Sequence, residues 1–216
     1  VRIDHVVTRA DRIDHEQNRR IHFQSPAEEI KIELTRKSLH LLIIICIPLL
    51  DISPAVPIVA LLIGMLVYST SEWLRHRGII VPIIAPITEH AARRRDGNRF
   101  VIGPITLALG ALLAIIIFDP LQAKVAILAL AIGDSFSSLI GKSFGRIPMP
   151  LSGGKSFEGS VFCFLTVLVA VFVFTGKFIP ALIIAAATAS VEFWPTKDWD
   201  NILIPLAAGI IASIVL

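Results

Sequence analysis

Charge is scarce in this 216-residue chain: Asp, Glu, Lys and Arg make up 17% of it, against about 25% in an ordinary soluble domain. Hydrophobic residues reach 55%, and the mean hydropathy is +0.77. That combination excludes a soluble enzyme, a disordered tail and a nucleic-acid-binding domain. The net charge of +3 then reports basic loops held on one side of a bilayer rather than affinity for nucleic acid. Cysteine is nearly absent. Cys46 and Cys163 both lie inside apolar runs and read as small packing residues, not as a disulfide or metal site. The first 38 residues contain no apolar run, so no cleavable signal peptide is expected in them. No Asn-x-Ser/Thr acceptor occurs anywhere.

What the chain does have is a series of apolar runs. Leu39–Leu50 is the core of a first span entered from about residue 33, and Pro54–Thr70 is a second, after an Asp51-Ile52-Ser53-Pro54 turn. Phe100–Phe118, Leu121–Ile140, Ser160–Thr175, Pro180–Val191 and Ile202–Leu216 follow. Gly78–Ile87, with Pro82 and Pro86, is too short to cross about 30 Å of hydrocarbon and reads as interfacial or re-entrant. Lipid offers backbone N–H and C=O groups no partner, so every span must be helical. The expected fold is all-α, a polytopic transmembrane helix bundle of about seven spans. Residues 1–30 are expected to form a polar N-terminal helical extension and 31–216 the membrane domain. The extension carries a ten-residue echo, Arg2-Ile3-Asp4-His5 and Arg12-Ile13-Asp14-His15, which fits one face of a solvated or interfacial helix. Of the 20 Lys and Arg residues all but Lys124 and Lys177 fall in the N-terminal segment and in Ser71–Arg99, Gly141–Gly159 and Glu192–Asn201. The positive-inside rule therefore puts the N-terminus and every long polar loop in the cytosol. Trp73, Trp194 and Trp199 fall near span ends, where anchoring rings are common.

The chemistry concentrates in Ile132–Ser160, IGDSFSSLIGKSFGRIPMPLSGGKSFEGS. Asp134 lies within an apolar run, where a mid-membrane carboxylate costs about 2.5–3.5 kcal/mol. It is either a functional group or half of an ion pair to a neighbouring helix. Gly133, Ser135, Ser137, Ser138 and Gly141 around it let another backbone, or a nucleotide, come close. Lys142, Arg146, Lys155 and Glu158 follow among Gly141, Gly145, Gly153, Gly154 and Gly159. Cations, a carboxylate and exposed backbone N–H groups suit a phosphate chain with Mg²⁺. The segment is not a P-loop, because Phe136 and Met149 stand where that motif needs its first glycine.

The order of these residues resembles the CTP-dependent lipid kinase family, which includes dolichol (polyprenol) kinase, phytol kinase and CTP-dependent diacylglycerol kinase. The matching residues are Gly133-Asp134-Ser135, Gly141-Lys142, Gly145-Arg146 and Lys155-Ser156-Phe157-Glu158-Gly159-Ser160. Glu33-Leu34-Thr35-Arg36-Lys37 with His40 resembles the family's opening motif. Glu72, Arg75 and Glu89 resemble its charges after the second span, and Glu192, Asp200-Asn201 and Pro205 its closing motif. The likeness spans roughly residues 30–210. The phosphatidate cytidylyltransferases share a similar loop, but their version carries a Pro and a further Lys that Ser152-Gly153-Gly154-Lys155 lacks.

The resemblance implies transfer of the γ-phosphoryl of CTP to the hydroxyl of a membrane lipid alcohol, at the cytosolic face of the bilayer. Asp134, Lys155, Asp200 and Glu192 are the expected catalytic residues. Asp134, Glu158 and Asp200 are the expected ligands of Mg²⁺ or another divalent cation. Arg36, Lys37, His40, Ser135, Gly141, Lys142, Gly145, Arg146, Ser156, Gly159 and Asn201 are expected to bind nucleotide or phosphate. Glu72 and Arg75, three residues apart, are expected at least to pair with each other. Arg93-Arg94-Arg95 reads as a headgroup anchor outside the site. Two other classes stay open: a cytidylyltransferase-like enzyme that forms a CDP-lipid, and a non-enzymatic transporter or scaffold. The small-residue faces Ala185-Ala186-Ala187 and Ala207-Ala208-Gly209 suit packing within the chain or in a homodimer.

Overall fold

A computed structural model describes residues 26–79, 81, 100–150 and 152–216. The N-terminal echo, the Gly78–Ile87 segment except for its first two residues and Val81, and Glu89 and Arg93-Arg94-Arg95 lie outside these. Helix α1 (Pro26–Leu41) passes through a 3₁₀ turn at Leu42–Ile45 into α2 (Cys46–Ile52). Then come α3 (Ala55–His76), α4 (Gly103–Ile117), α5 (Pro120–Phe144), α6 (Phe157–Thr175), α7 (Phe178–Phe193) and α8 (Asp200–Val215). Helix α1 continues through residue 30, so the boundary expected there falls within a helix.

Three helices, α3, α5 and α6, are long and apolar enough to cross a membrane. Helices α4, α7 and α8 are apolar but have 15, 16 and 16 residues, or about 23–24 Å at 1.5 Å per residue. Among the described residues the chain is thus an all-α bundle with the build of a multi-pass membrane protein. Many of its exposed side chains are large and apolar, such as Leu66, Val173 and Ile214. In water that would be a liability, but a lipid-facing surface requires it.

Helix α5 is the core of the bundle. Val125, Ala126, Ile127, Ala129, Leu130 and Ala131 have no exposed surface, and α1, α4, α6, α7 and α8 all pack on it. Its alanines and Gly133 explain this centrality, since small residues let neighbouring helices approach. A methyl group on Gly133 would press on Cys163 and Val167 of α6 and Thr188 of α7. The helix runs to Phe144, four residues beyond the expected span end and into what the sequence suggests is loop. Gly145 stops it in extended conformation.

The bundle sorts its charges by end. Glu72 receives the Val101 N–H (2.9 Å) and pairs with Arg75 (2.7 Å), which ties α3 to the entry of α4. At the opposite end Lys124 pairs with Asp51, and Lys177 donates to the Leu216 carbonyl. The expected pairing of Glu72 with Arg75 is present.

Helices α4 and α8 touch at Gly110, where a β-carbon would fall on the backbone carbonyl of Asn201. Backbone cannot move aside cheaply, so Gly110→Ala is expected to destabilise the protein by about 1–3 kcal/mol. Gly64, with open space around it, is the control. Gly64→Ala is expected to be neutral or mildly stabilising. Thermal unfolding in detergent, read by a thiol-reactive dye on the buried Cys46 and Cys163, checks both.

Candidate functional site

At the more charged end of the bundle, a cavity of about 410 Å³ opens between α1, α5, the chain before α6, and the facing ends of α7 and α8. Asp134, Asp200 and Glu192 supply carboxylates to its wall, and Arg36, Lys142 and Lys155 supply cations. Gly141, Ser156 and Gly159, all expected site residues, line it too.

Asp134 is held from the first helix. Its carboxylate forms an ion pair with Lys37, and both side chains are almost wholly buried. His40, one turn further on, lies 3.5 Å from the same carboxylate oxygen. His40 bonds the Arg36 carbonyl through Nδ1 (3.0 Å) and Asn201 Oδ1 through Nε2 (3.3 Å). Asn201 in turn donates to Thr106 Oγ1 (2.9 Å). The sequence left Asp134 open between a functional group and half of an ion pair. The structure makes it an ion-pair partner that also faces the cavity.

Lys37, His40, Ser135 and Asn201 do not line the cavity. They stand behind its wall: Lys37 and Ser135 have no exposed surface, and His40 and Asn201 have 4% and 3%. These four expected phosphate-binding residues therefore stand behind the cavity wall and not on it. Helical periodicity explains it, since Arg36 and Lys37 point about 100° apart on α1 and only one can face the opening. Arg36 does so, paired with Glu33 at 2.6 Å. Glu33 also holds Lys142 of α5 at 2.5 Å.

The other wall is a short turn. The Met149 N–H donates to the Lys155 carbonyl and the Phe157 N–H to the Ile147 carbonyl, both at 3.0 Å. Gly153 and Gly154 close the turn at φ +69° and +99°, a region that side chains disfavour. The turn brings Lys155 back over the cavity, where its ammonium meets Glu192 Oε1 at 3.1 Å and bonds the Glu192 carbonyl. Ser156 caps α6, its hydroxyl accepting the Gly159 N–H at 3.2 Å.

Glu158, Gly145 and Arg146 do not line the cavity either, and Gly145 and Arg146 are exposed. The Glu158 carboxylate receives the N–H groups of Arg146 (3.0 Å) and Ile147 (3.2 Å), which fastens the chain leaving α5 to the start of α6. It does not line the cavity. Gly145 packs on Ser156, where a β-carbon would collide.

No group of three or more His, Cys, Asp or Glu side chains forms a metal cage among the described residues. Mg²⁺ does not need one, since it is commonly held by one or two carboxylates with phosphate oxygens and water completing the shell. Asp134 and Asp200 share the cavity wall and fit that requirement. Asp200 stands ahead of the apolar run that begins at Ile202. Burial, and secondarily the Asp134 carboxylate, push its carboxyl up to about 6. Two carboxylates that disfavour each other's charge are a pair that a cation would relieve.

Ser152 and Pro195 line the cavity but were not expected there, and Thr106 completes the Asn201 network. Ser152 sits beside the glycine turn and was within reach of sequence reasoning. Nothing local marks Thr106 or Pro195.

No protein-family model matches the chain, and no solved structure does. It is 26% identical over 159 residues to an uncharacterised protein of Methanocaldococcus jannaschii, covering 72% of this chain and 77% of the other. It is 30% identical over 142 residues to a phytol kinase of Synechocystis sp., covering 60% of this chain and 58% of that kinase. The chain is a membrane-embedded helical protein distantly related to a lipid-modifying kinase.

The Lys37–Asp134 pair is open to a double-mutant cycle. Breaking a buried pair from one side leaves an uncompensated charge and costs about 3–5 kcal/mol. Lys37→Met is expected to destabilise by about that much, while Lys37→Met with Asp134→Leu recovers most of the loss. Thermal melts of the purified variants measure the coupling.

Proposed function

We propose that this protein is a membrane lipid kinase that transfers the γ-phosphoryl group of CTP to the hydroxyl of a lipid alcohol. The observation that carries the reading is a single cavity whose wall brings together Asp134, Asp200 and Glu192, the cations Arg36, Lys142 and Lys155, and a glycine turn. Distant kinship to a phytol kinase supports the same class. The nucleotide's phosphates lie among Arg36, Lys142 and Lys155, with the backbone around Gly153 and Gly154 close by. Asp134 and Asp200 would hold Mg²⁺, which supplies charge neutralisation to phosphate oxygens. Lys37 and His40 keep the Asp134 carboxylate oriented from behind.

The step forms a bond between the lipid oxygen and the γ-phosphorus and breaks the β–γ bridge, so CDP leaves. The hydroxyl proton passes to a wall carboxylate, Glu192 or Asp200. Catalysis of this kind is mainly positioning and charge stabilisation, for which a preorganised set of cations is suited. The charged end lies in the cytosol, where nucleotide is available, with the remaining apolar helices completing a seven-span bundle. That placement agrees with the positive-inside count.

Purified protein given CTP labelled at the γ or the α position, with lipid alcohols and lipid phosphates, tests the reaction. Label is expected on lipid from the γ position only. Transfer from the α position would instead make the protein a cytidylyltransferase. Asp134→Asn is expected to lower kcat by at least 10³-fold in folded protein. Lys155→Ala is expected to raise the nucleotide KM and lower kcat, and a change confined to lipid affinity would contradict its phosphate role.

A further inference from the structure

A second opening lies beside the polar cavity, on the outer side of α6 and α7. It is a groove of about 440 Å³ whose walls include Phe157, Val161 and Phe164 of α6 and Ala189, Phe193 and Trp194. Phe157, Val161 and Phe164 fall at i, i+4 and i+7, so they form one stripe down the helix, about 10 Å long. Ala189 is the smallest of these six residues and leaves the groove its depth. Trp194 meets the Phe193 ring edge to face, with centroids 5.8 Å apart, and is 58% exposed at the rim.

Three polar side chains separate groove from cavity. Ser160 belongs to the groove wall, and Glu192 and Lys155 to the cavity wall. The Ser160 hydroxyl donates to Glu192 Oε2 at 3.1 Å, and the Lys155 ammonium meets Glu192 Oε1 at 3.1 Å. The apolar groove therefore runs up to the charged cavity with one hydroxyl–carboxylate–ammonium relay between them. A molecule with a hydrocarbon tail and a terminal hydroxyl matches that sequence of surfaces. Its tail would cover the aromatic stripe, and its hydroxyl would replace Ser160 as the donor to Glu192.

We propose that the groove between α6 and α7 holds the tail of a single-chain lipid alcohol, which enters sideways from the bilayer and presents its hydroxyl to Glu192. This rests on the lipid-kinase reading and deepens it: of the two carboxylates named as proton acceptors, Glu192 is the one the alcohol reaches. The groove lies between two packed helices and takes a single apolar stripe from α6, which is the ground for assigning it one tail and not two.

The test reads binding without turnover. The detergent-purified full chain is irradiated with a diazirine-bearing isoprenoid alcohol, and the labelled peptides are mapped. Label is expected on residues 157–164 and 189–194, competed by unlabelled isoprenoid alcohol and not by the matching hydrocarbon. Ala189→Trp, which fills the groove, is expected to reduce labelling at least tenfold and to raise the alcohol KM by a similar factor with the nucleotide KM unchanged. Trp194→Ala alters an exposed position and is expected to weaken labelling without disturbing the fold. Label elsewhere, no label, or full labelling of both variants would overturn the groove. Equal competition by a diacylglycerol would overturn the single-tail assignment. Groove labelling without γ-phosphoryl transfer to any alcohol would leave the groove standing and defeat the kinase reading.

Discussion

The buried ion pair between Lys37 and Asp134 is the interaction on which the charged end of the bundle depends. Lys37 comes from the polar helix α1 and Asp134 from the apolar central helix α5, and both side chains are almost wholly buried. Desolvating two charges is costly, and their attraction repays it only when further hydrogen bonds satisfy the remaining atoms. His40, Asn201 and Thr106 form that support, from α1, α8 and α4. One carboxylate on the central helix thereby fixes the relative positions of the helices around it.

From that constraint the rest of the site follows in layers. With α1 registered against α5, Arg36 faces the opening while Lys37 faces inward, and Glu33 reaches Lys142. The opposite wall is set by backbone rather than by burial. Glu158 clamps the chain leaving α5, Ser156 caps α6, and the glycine turn between them returns Lys155 toward Glu192. A rigid rear wall and a turn built on two glycines divide the work between orientation and access. The proposed phosphoryl transfer would ask for that division, because cations must be fixed before charge develops while a nucleotide still has to enter.

The charged cavity and the apolar groove meet at Glu192. Its carboxylate has one oxygen toward Lys155 on the cavity wall and the other toward Ser160 on the groove wall. A membrane enzyme acting on a lipid hydroxyl has to join a water-facing donor to a lipid-facing acceptor.

Composition and periodicity by themselves determined a great deal here. Apolar runs in lipid must be helical, so the helices, their order and the crowding of charge at one end were legible, as were Asp134 and Lys155 as candidates, while Glu192 and Asp200 came from the family resemblance. Helix α5 extends to Phe144, past the expected span end at Ile140, because nothing before Gly145 breaks a helix. Only the tertiary structure decided which polar residues face the cavity and which stand behind it. Lys37 and Asp134 are 97 residues apart, and His40 and Asn201 are 161 apart. Partnerships at such separation depend on how helices pack, and helix packing is set by small residues such as Gly133 and Gly110 rather than by any motif. For the same reason only the structure shows the Glu158 carboxylate receiving the backbone N–H groups of Arg146 and Ile147.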